Sequence, residues 1–216
     1  MADRFGAFLP HDTSGDVAQL HGIGLQKFGD TWYAYGENKV NGNLFQGVCC
    51  YTTTDFIAWR SHGIVLDVQE DGSALAADRI GERPKVLHCP ATGKYVMYIH
   101  AETPDYGYAH IGVAVADNPA GPYKAADQPL VTRTMEGVTV GQAIDPSIFT
   151  DPNTGKSYIL YGNGSPAIAE LNDDMVSIKA GTVKKLNGLN GFRESVVVAY
   201  RDGKYHWTWS CDDANS

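Results

Sequence analysis

No stretch of the 216-residue sequence approaches the roughly 20 consecutive apolar residues that cross a bilayer, which argues against a membrane-spanning helix. Basic residues are also scarce: 17 Lys and Arg stand against 25 Asp and Glu, a formal charge of −8. That balance excludes an electrostatic grip on nucleic acid or on an anionic membrane and leaves a neutral, polyhydroxylated ligand as the better fit. The four cysteines, Cys49, Cys50, Cys89 and Cys211, show no CxxC or Cys/His spacing, so they read as free thiols and no metal site is expected of them. Gly-rich phosphate loops, Ser/His/Asp elbows and helical metal motifs are missing, and helix-period stretches are nearly so. The opening segment MADRFGAFLPHDTSGD has neither the basic nor the apolar region of a signal peptide. Secretion is not indicated by it, and the compartment, cytoplasmic or extracellular after trimming, stays open.

With 43% hydrophobic and 19% charged residues, the composition is that of one globular domain with a real core. Short runs rich in Tyr, Trp, Val, Ile and Thr alternate with Gly, Asp, Asn and Pro clusters, the pattern of strands and turns. One unit recurs: an apolar strand, a Gly-containing turn and an aromatic strand. Its copies are HGIGLQKFGDTWYAYGE (21–37), ERPKVLHCPATGKYVMYIH (82–100), DPSIFTDPNTGKSYILYGNG (145–164) and ESVVVAYRDGKYHWTWS (194–210). Matching Trp32, Tyr95, Tyr158 and Tyr205 gives spacings of 63, 63 and 47 residues, a blade-sized period. Further strands follow the first three hairpins, in GVCCYTTTDF and SHGIVLDV, in HIGVAVADNPAGPYKAADQPLV, and in PAIAELNDDMVSI with TVKKL. Four-stranded antiparallel units repeated about an axis predict an all-β fold, a β-propeller, with blades at about 18–68, 80–132, 140–187 and 190–216 of a single domain, 1–216. A β-sandwich has no such long repeat. About three and a half blades are present. The expectation is either a piece of a longer protein or a chain that completes itself by association through its open edge.

Carboxylates recur where the first strands begin. Glu82, Asp145 and Glu194 precede their turn glycines, Gly93, Gly155 and Gly203, by 11, 10 and 9 residues. Because first strands line a propeller's channel, these acids are expected to converge at one mouth, where one carboxyl can protonate a leaving oxygen and another activate water. The competing reading of each is local: Asp145-Pro146 as a turn start, Glu82 paired with Arg83 or Lys85, Glu194 paired with Arg193. Exposed ion pairs contribute little stability, so they explain the coincidence poorly. The first blade departs, carrying Gln19, Leu20 and His21 at that place. His21 is therefore expected to bind a sugar hydroxyl or to orient a carboxylate, while Asp12 and Asp16 lie upstream. Of the aromatic residues, Trp32, Tyr33, Tyr35, Tyr106, Tyr108, Trp207 and Trp209 among them, alternation sends most between blades, with one or two left as a sugar platform. The Asp212-Asp213 pair reads as a solvated turn.

Taken together, the four repeated strings resemble glycoside hydrolase family 43, five-bladed β-propeller enzymes that invert at the anomeric carbon. HGIGLQKFGDTWYAYGE and ERPKVL with TGKYVMYIH look like the first two blades of its exo-β-1,3-galactanase branch. DPSIFTDPNTGKSYILYGNG with AELNDDMVSI looks like the Asp-Pro blade of its arabinofuranosidases and xylosidases, and FRESVVVAYRDGKYHWTWS like the blade that carries the acid. The resemblance implies Glu194 as general acid and Asp145 as the carboxylate that raises its pKa and holds the sugar. The family's usual first-blade Asp base is missing, as in the galactanase branch. Glu82 is then the candidate base, with a fifth blade as the other source. Expected substrate contacts are His21, Glu37, Arg83, Tyr108, Asn163 and Trp209. No cofactor is required, and a family-typical calcium in the channel is optional, since no dense oxygen-ligand loop calls for one. The implied function is inverting, exo-acting hydrolysis of galactosyl, arabinofuranosyl or xylosyl linkages in plant-type polysaccharide, with a carbohydrate substrate as the partner. A sugar-binding propeller without turnover is the alternative, and a protein-interaction propeller has no sequence sign.

Overall fold

Strands form where β-branched and aromatic residues alternate, and they end at turn glycines with positive φ, such as Gly29, Gly93, Gly155 and Gly203. The computed structural model describes residues 10–211, so the Asp212-Asp213 pair lies outside the described residues. Within them there is no helix. The first antiparallel sheet takes β1 (His21–Phe28), β2 (Thr31–Glu37), β3 (Val48–Thr53) and β4 (Arg60–Leu66) in sequence order. The second takes β5 (Ile80–His88), β6 (Tyr95–Glu102), β7 (His110–Ala116) and β8 (Lys124–Ala125), and a small hairpin follows, β9 (Thr134–Met135) with β10 (Val138–Thr139). The third comprises β11 (Ser147–Thr150), β12 (Ser157–Tyr161), β13 (Ala167–Glu170) and β14 (Lys184–Lys185), and the fourth is a pair, β15 (Phe192–Arg201) with β16 (Lys204–Cys211). The 134–139 hairpin has no counterpart in the sequence repeat.

Each sheet packs its face on the next, which is how a propeller buries both faces of an inner blade. Tyr35, Val48, Leu66 and Met97 fill the space between the first and second sheets. Tyr98, Ile111, Ile159 and Tyr161 fill that between the second and third, and Leu160, Val196 and Val198 join the third to the fourth. Burying side chains of this size stabilises by about 1.5–3 kcal/mol each. Tyr35, Tyr98 and Tyr161 occupy one repeat position and are all but inaccessible. The first two reach across to the following sheet: the Tyr35 hydroxyl donates to the Pro119 carbonyl and the Tyr98 hydroxyl to the Met175 carbonyl, both at 2.7 Å. A buried phenol needs such a partner.

The aromatic residues of YHWTW do not join the core. Tyr205 and Trp207 remain 46% and 37% exposed, because the fourth sheet has only two strands among the described residues. At the inner rim, β1 packs on β5, β5 touches β11, and β11 packs on β15. The four first strands therefore share one channel.

Candidate active site

At or just before the start of every first strand one residue lies in the left-handed region: Gly22 (φ +61), Arg83 (+53), Asp145 (+55), two residues ahead of β11, and Ser195 (+61). In β1, β5 and β15 this coincides with a register shift, so the chain bulges and re-aims its side chains into the channel. Glu82 and Glu194 immediately precede the left-handed residue, whereas Asp145 is that residue. The three acids thus stand at neighbouring positions of the repeat, not at the single position suggested by counting back from the glycines. Gly22 is fixed by its surroundings as well as its φ: a Cβ there would lie 2.0 Å from Glu37 Oε1.

Arg83 joins three sheets. Its Nε lies 2.8 Å from Asp145 Oδ1, its Nη1 donates to Ser195 Oγ at 2.8 Å, and its Nη2 approaches Glu194 Oε1 at 3.4 Å. Ser195 Oγ in turn donates to Asp145 Oδ2 at 3.0 Å. Asp145 is buried, and a buried carboxylate persists only when paired and hydrogen-bonded, as this one is on both oxygens. Glu194 keeps a partly open side chain. Next to this group is a cavity of about 360 Å³ whose lining includes Gly22, Arg83, Lys85, Asp145 and Ser195. Lys85 turns its ammonium onto the carbonyls of Gly22, Ile23, Arg83 and Pro84 at 3.2–3.3 Å. Burial, then the nearby Arg83 charge, pushes that ammonium down to about 8.

Glu82 forms the second group. Tyr106 donates its hydroxyl to Glu82 Oε1 at 3.3 Å, Lys39 Nζ lies 3.7 Å from the same oxygen, and His100 Nδ1 stands 3.5 Å from Oε2. His100, above all, with Lys39 and Tyr106, holds the Glu82 carboxyl below the usual carboxylate range, outweighing its partial burial. Glu37 links the two groups: Oε1 accepts the Arg83 backbone N–H at 2.8 Å, and Oε2 meets His21 Nδ1 at 2.8 Å and Lys39 Nζ at 3.2 Å.

Of the residues expected from sequence, Glu194, Asp145 and Arg83 come together directly, and Glu82, Glu37 and His21 adjoin them. Tyr108 stands apart, its ring against the Arg79 guanidinium (5.8 Å) and the His110 ring (3.8 Å). Tyr106, with φ +57, is the aromatic residue turned to Glu82. Asn163 bonds through its backbone to Gln142, whose side-chain amide donates to the Tyr106 carbonyl at 3.0 Å, so it borders the Glu82 group without touching it. The Trp209 indole N–H is committed to the Asn190 carbonyl at 3.0 Å. Sequence reading passed over Ser195, Lys39, His100, Glu102 and Gln142. The 63-residue period would have found His100, since it sets His100 at the place of Glu37. Among the described residues, no group of three or more His, Cys, Asp or Glu side chains is arranged to hold a metal ion.

Fold and site together define the class: a β-propeller with carboxylates and a shared arginine gathered at one channel mouth. More narrowly, the chain belongs to glycosyl hydrolases family 43, whose model matches residues 24–216. It is similar to a crystal structure from Bifidobacterium bifidum s17 provisionally described as an exo-β-1,3-galactanase, with 62% identity and a TM-score of 0.84 over 98% of this chain and 68% of that one. The exo-β-1,3-galactanase of Phanerochaete chrysosporium solved with galactose is similar at 30% identity and a TM-score of 0.84, over 97% of this chain and 47% of that one. Among curated proteins, an arabinoxylan arabinofuranohydrolase of Paenibacillus polymyxa is 24% identical over 211 residues, 87% of this chain and 32% of that protein. The chain spans about a third of the length of that curated relative.

Proposed function

We propose that the chain carries the acid-bearing part of an inverting, exo-acting glycoside hydrolase that removes galactosyl residues from β-1,3-linked galactan. The observation that carries the reading is the Arg83 junction, which gathers Glu194, Asp145 and Ser195 at the edge of an open cavity. The galactosyl choice over arabinofuranosyl or xylosyl rests on the descriptions of the Bifidobacterium and Phanerochaete relatives.

In this mechanism Glu194 donates its proton to the leaving oxygen while Glu82 draws a proton from the attacking water on the opposite face. Arg83's contact with Glu194 is the longest of its three and yields when the leaving oxygen arrives. Asp145 keeps the guanidinium and, with Ser195, anchors it, acting on Glu194 through that shared cation. Tyr106 offers a ring face for the sugar. No cofactor enters these steps, and a channel calcium remains optional to them.

One observation favours a second reading, a sugar-binding propeller without turnover: the first sheet presents His21 where a base is usual, and Glu82 is tied to Lys39, His100 and Tyr106. Proton NMR of the first sugar released from β-1,3-galactan separates the two. α-Galactose as the first product supports the proposal; β-galactose contradicts inversion, and saturable galactose binding without product selects the second reading.

A further inference from the structure

In the first two sheets one acid and one imidazole face each other at the channel mouth with their strands exchanged. His21 on β1 is the register partner of Glu37 on β2, and Glu82 on β5 is the register partner of His100 on β6. The first pair is closed at 2.8 Å and exposed on its imidazole side; in the second the imidazole is 1% exposed. His100 Nε2 lies 3.4 Å from Glu102 Oε2, and Glu102 is wholly buried. Glu102 Oε1 accepts the backbone N–H groups of Thr103, Tyr108 and Ala109 at 2.9, 2.6 and 2.9 Å, wrapping the 103–109 loop around itself. That loop carries Tyr106, which reaches back to Glu82. His100 Nδ1 is buried and makes no hydrogen bond, so in the protonated imidazole a donor aimed at Glu82 is in place and unused.

We infer that His100, anchored by Glu102, is a positioning residue for Glu82, and that the pair couples the placement of Glu82 to that of the loop bearing Tyr106. The inference rests on the proposed role of Glu82 at the glycosidic site. A buried donor without a partner is costly, and a small turn of the Glu82 carboxylate satisfies it. The groups around the imidazole support this. Glu82 faces it from β5, Glu102 from its own strand and Tyr106 from the loop, with Lys39 behind Glu82 and His110 beside Glu102. Burial opposes charge on His100, but the two carboxylates outweigh it and hold its pKa above the ordinary histidine value. When the imidazole is protonated, its Nδ1–H is the donor that the Glu82 carboxylate, 3.5 Å away, can accept.

Long-range 1H–15N spectra of the imidazoles in the 216-residue chain test the link without any need for turnover. In Glu82→Gln, His100 is expected to bind its proton about tenfold more weakly than in the parent, a shift of about one pKa unit. Equal values in the two chains overturn the inference. Glu82→Gln replaces a partly exposed side chain, so the test does not depend on the buried Glu102. If the parent releases sugar, His100→Gln should lower kcat with little change in KM, on galactan and on a 2,4-dinitrophenyl glycoside alike, because water activation is common to both. An unchanged kcat overturns it too. A chain that folds but releases no sugar retires the proposed activity, and the imidazole titration still decides the coupling.

Discussion

Gly22 and Glu102 show how single residues hold the site. Gly22 has φ +61 and its missing Cβ would overlap Glu37 Oε1, the oxygen that binds the Arg83 backbone. Gly22→Ala should cost about 1–3 kcal/mol in urea unfolding, from backbone strain and displacement of Glu37; an unchanged midpoint would contradict the contact. Glu102, wholly buried, pairs with His100 and four donors. Burial alone would raise its carboxyl, but His100 and the Ala109, Thr103 and Tyr108 amides bring it down to about 2. A carboxyl whose folded value lies below its unfolded one stabilises fully above the ordinary carboxylate range, and that stability is lost as pH falls from about 5 towards 2. His100 has the opposite sign: its raised value stabilises below about 6.5 and fades as pH rises through the folded value. Glu102→Gln should therefore lose about 3–5 kcal/mol at pH 6 and flatten the decline between pH 5 and 2. A parent-like acid profile in the variant would remove Glu102 from that role.

Between elements, the repeated tyrosines tie each sheet to the next, Tyr35 to Pro119 and Tyr98 to Met175. Each Tyr→Phe change should cost about 1 kcal/mol in chemical unfolding, and the double variant should give roughly the sum, since the two bonds share no partner. Strong non-additivity would argue that the sheets do not pack independently. These positions were legible in the sequence because a 63-residue spacing carries strand, turn and core tyrosine together. The bulges were not. A one-residue shift in strand register leaves the turn-to-turn count almost unchanged but moves Asp145 relative to Glu82 and Glu194 and gives Arg83 its central place. Likewise, the exchange of Tyr106 for Tyr108 depends on which loop amides Glu102 captures, a contact between β6 and its own following loop that side-chain periodicity does not encode.

For the whole molecule, the outer edge of β16 is unpaired among the described residues, while Ile23 and Leu25 on β1 and Val197 on β15 stay more than 40% exposed. An unpaired strand edge invites strand addition. The 216-residue chain is therefore expected to associate with rising concentration in light scattering, and Thr208→Lys on β16 to weaken that association; a parent monomeric at every concentration would contradict it. A formal charge of −8 works against a general electrostatic hold on a polyanion. The central claim is that Glu194 protonates the departing sugar oxygen. The most direct test compares parent and Glu194→Gln on β-1,3-galactan and on 2,4-dinitrophenyl β-galactoside, whose leaving group departs without a proton. Glu194→Gln is expected to lose about 10²–10⁴-fold on galactan while turnover of the activated galactoside is largely kept. Equal losses on both substrates, or no loss on galactan, would contradict it.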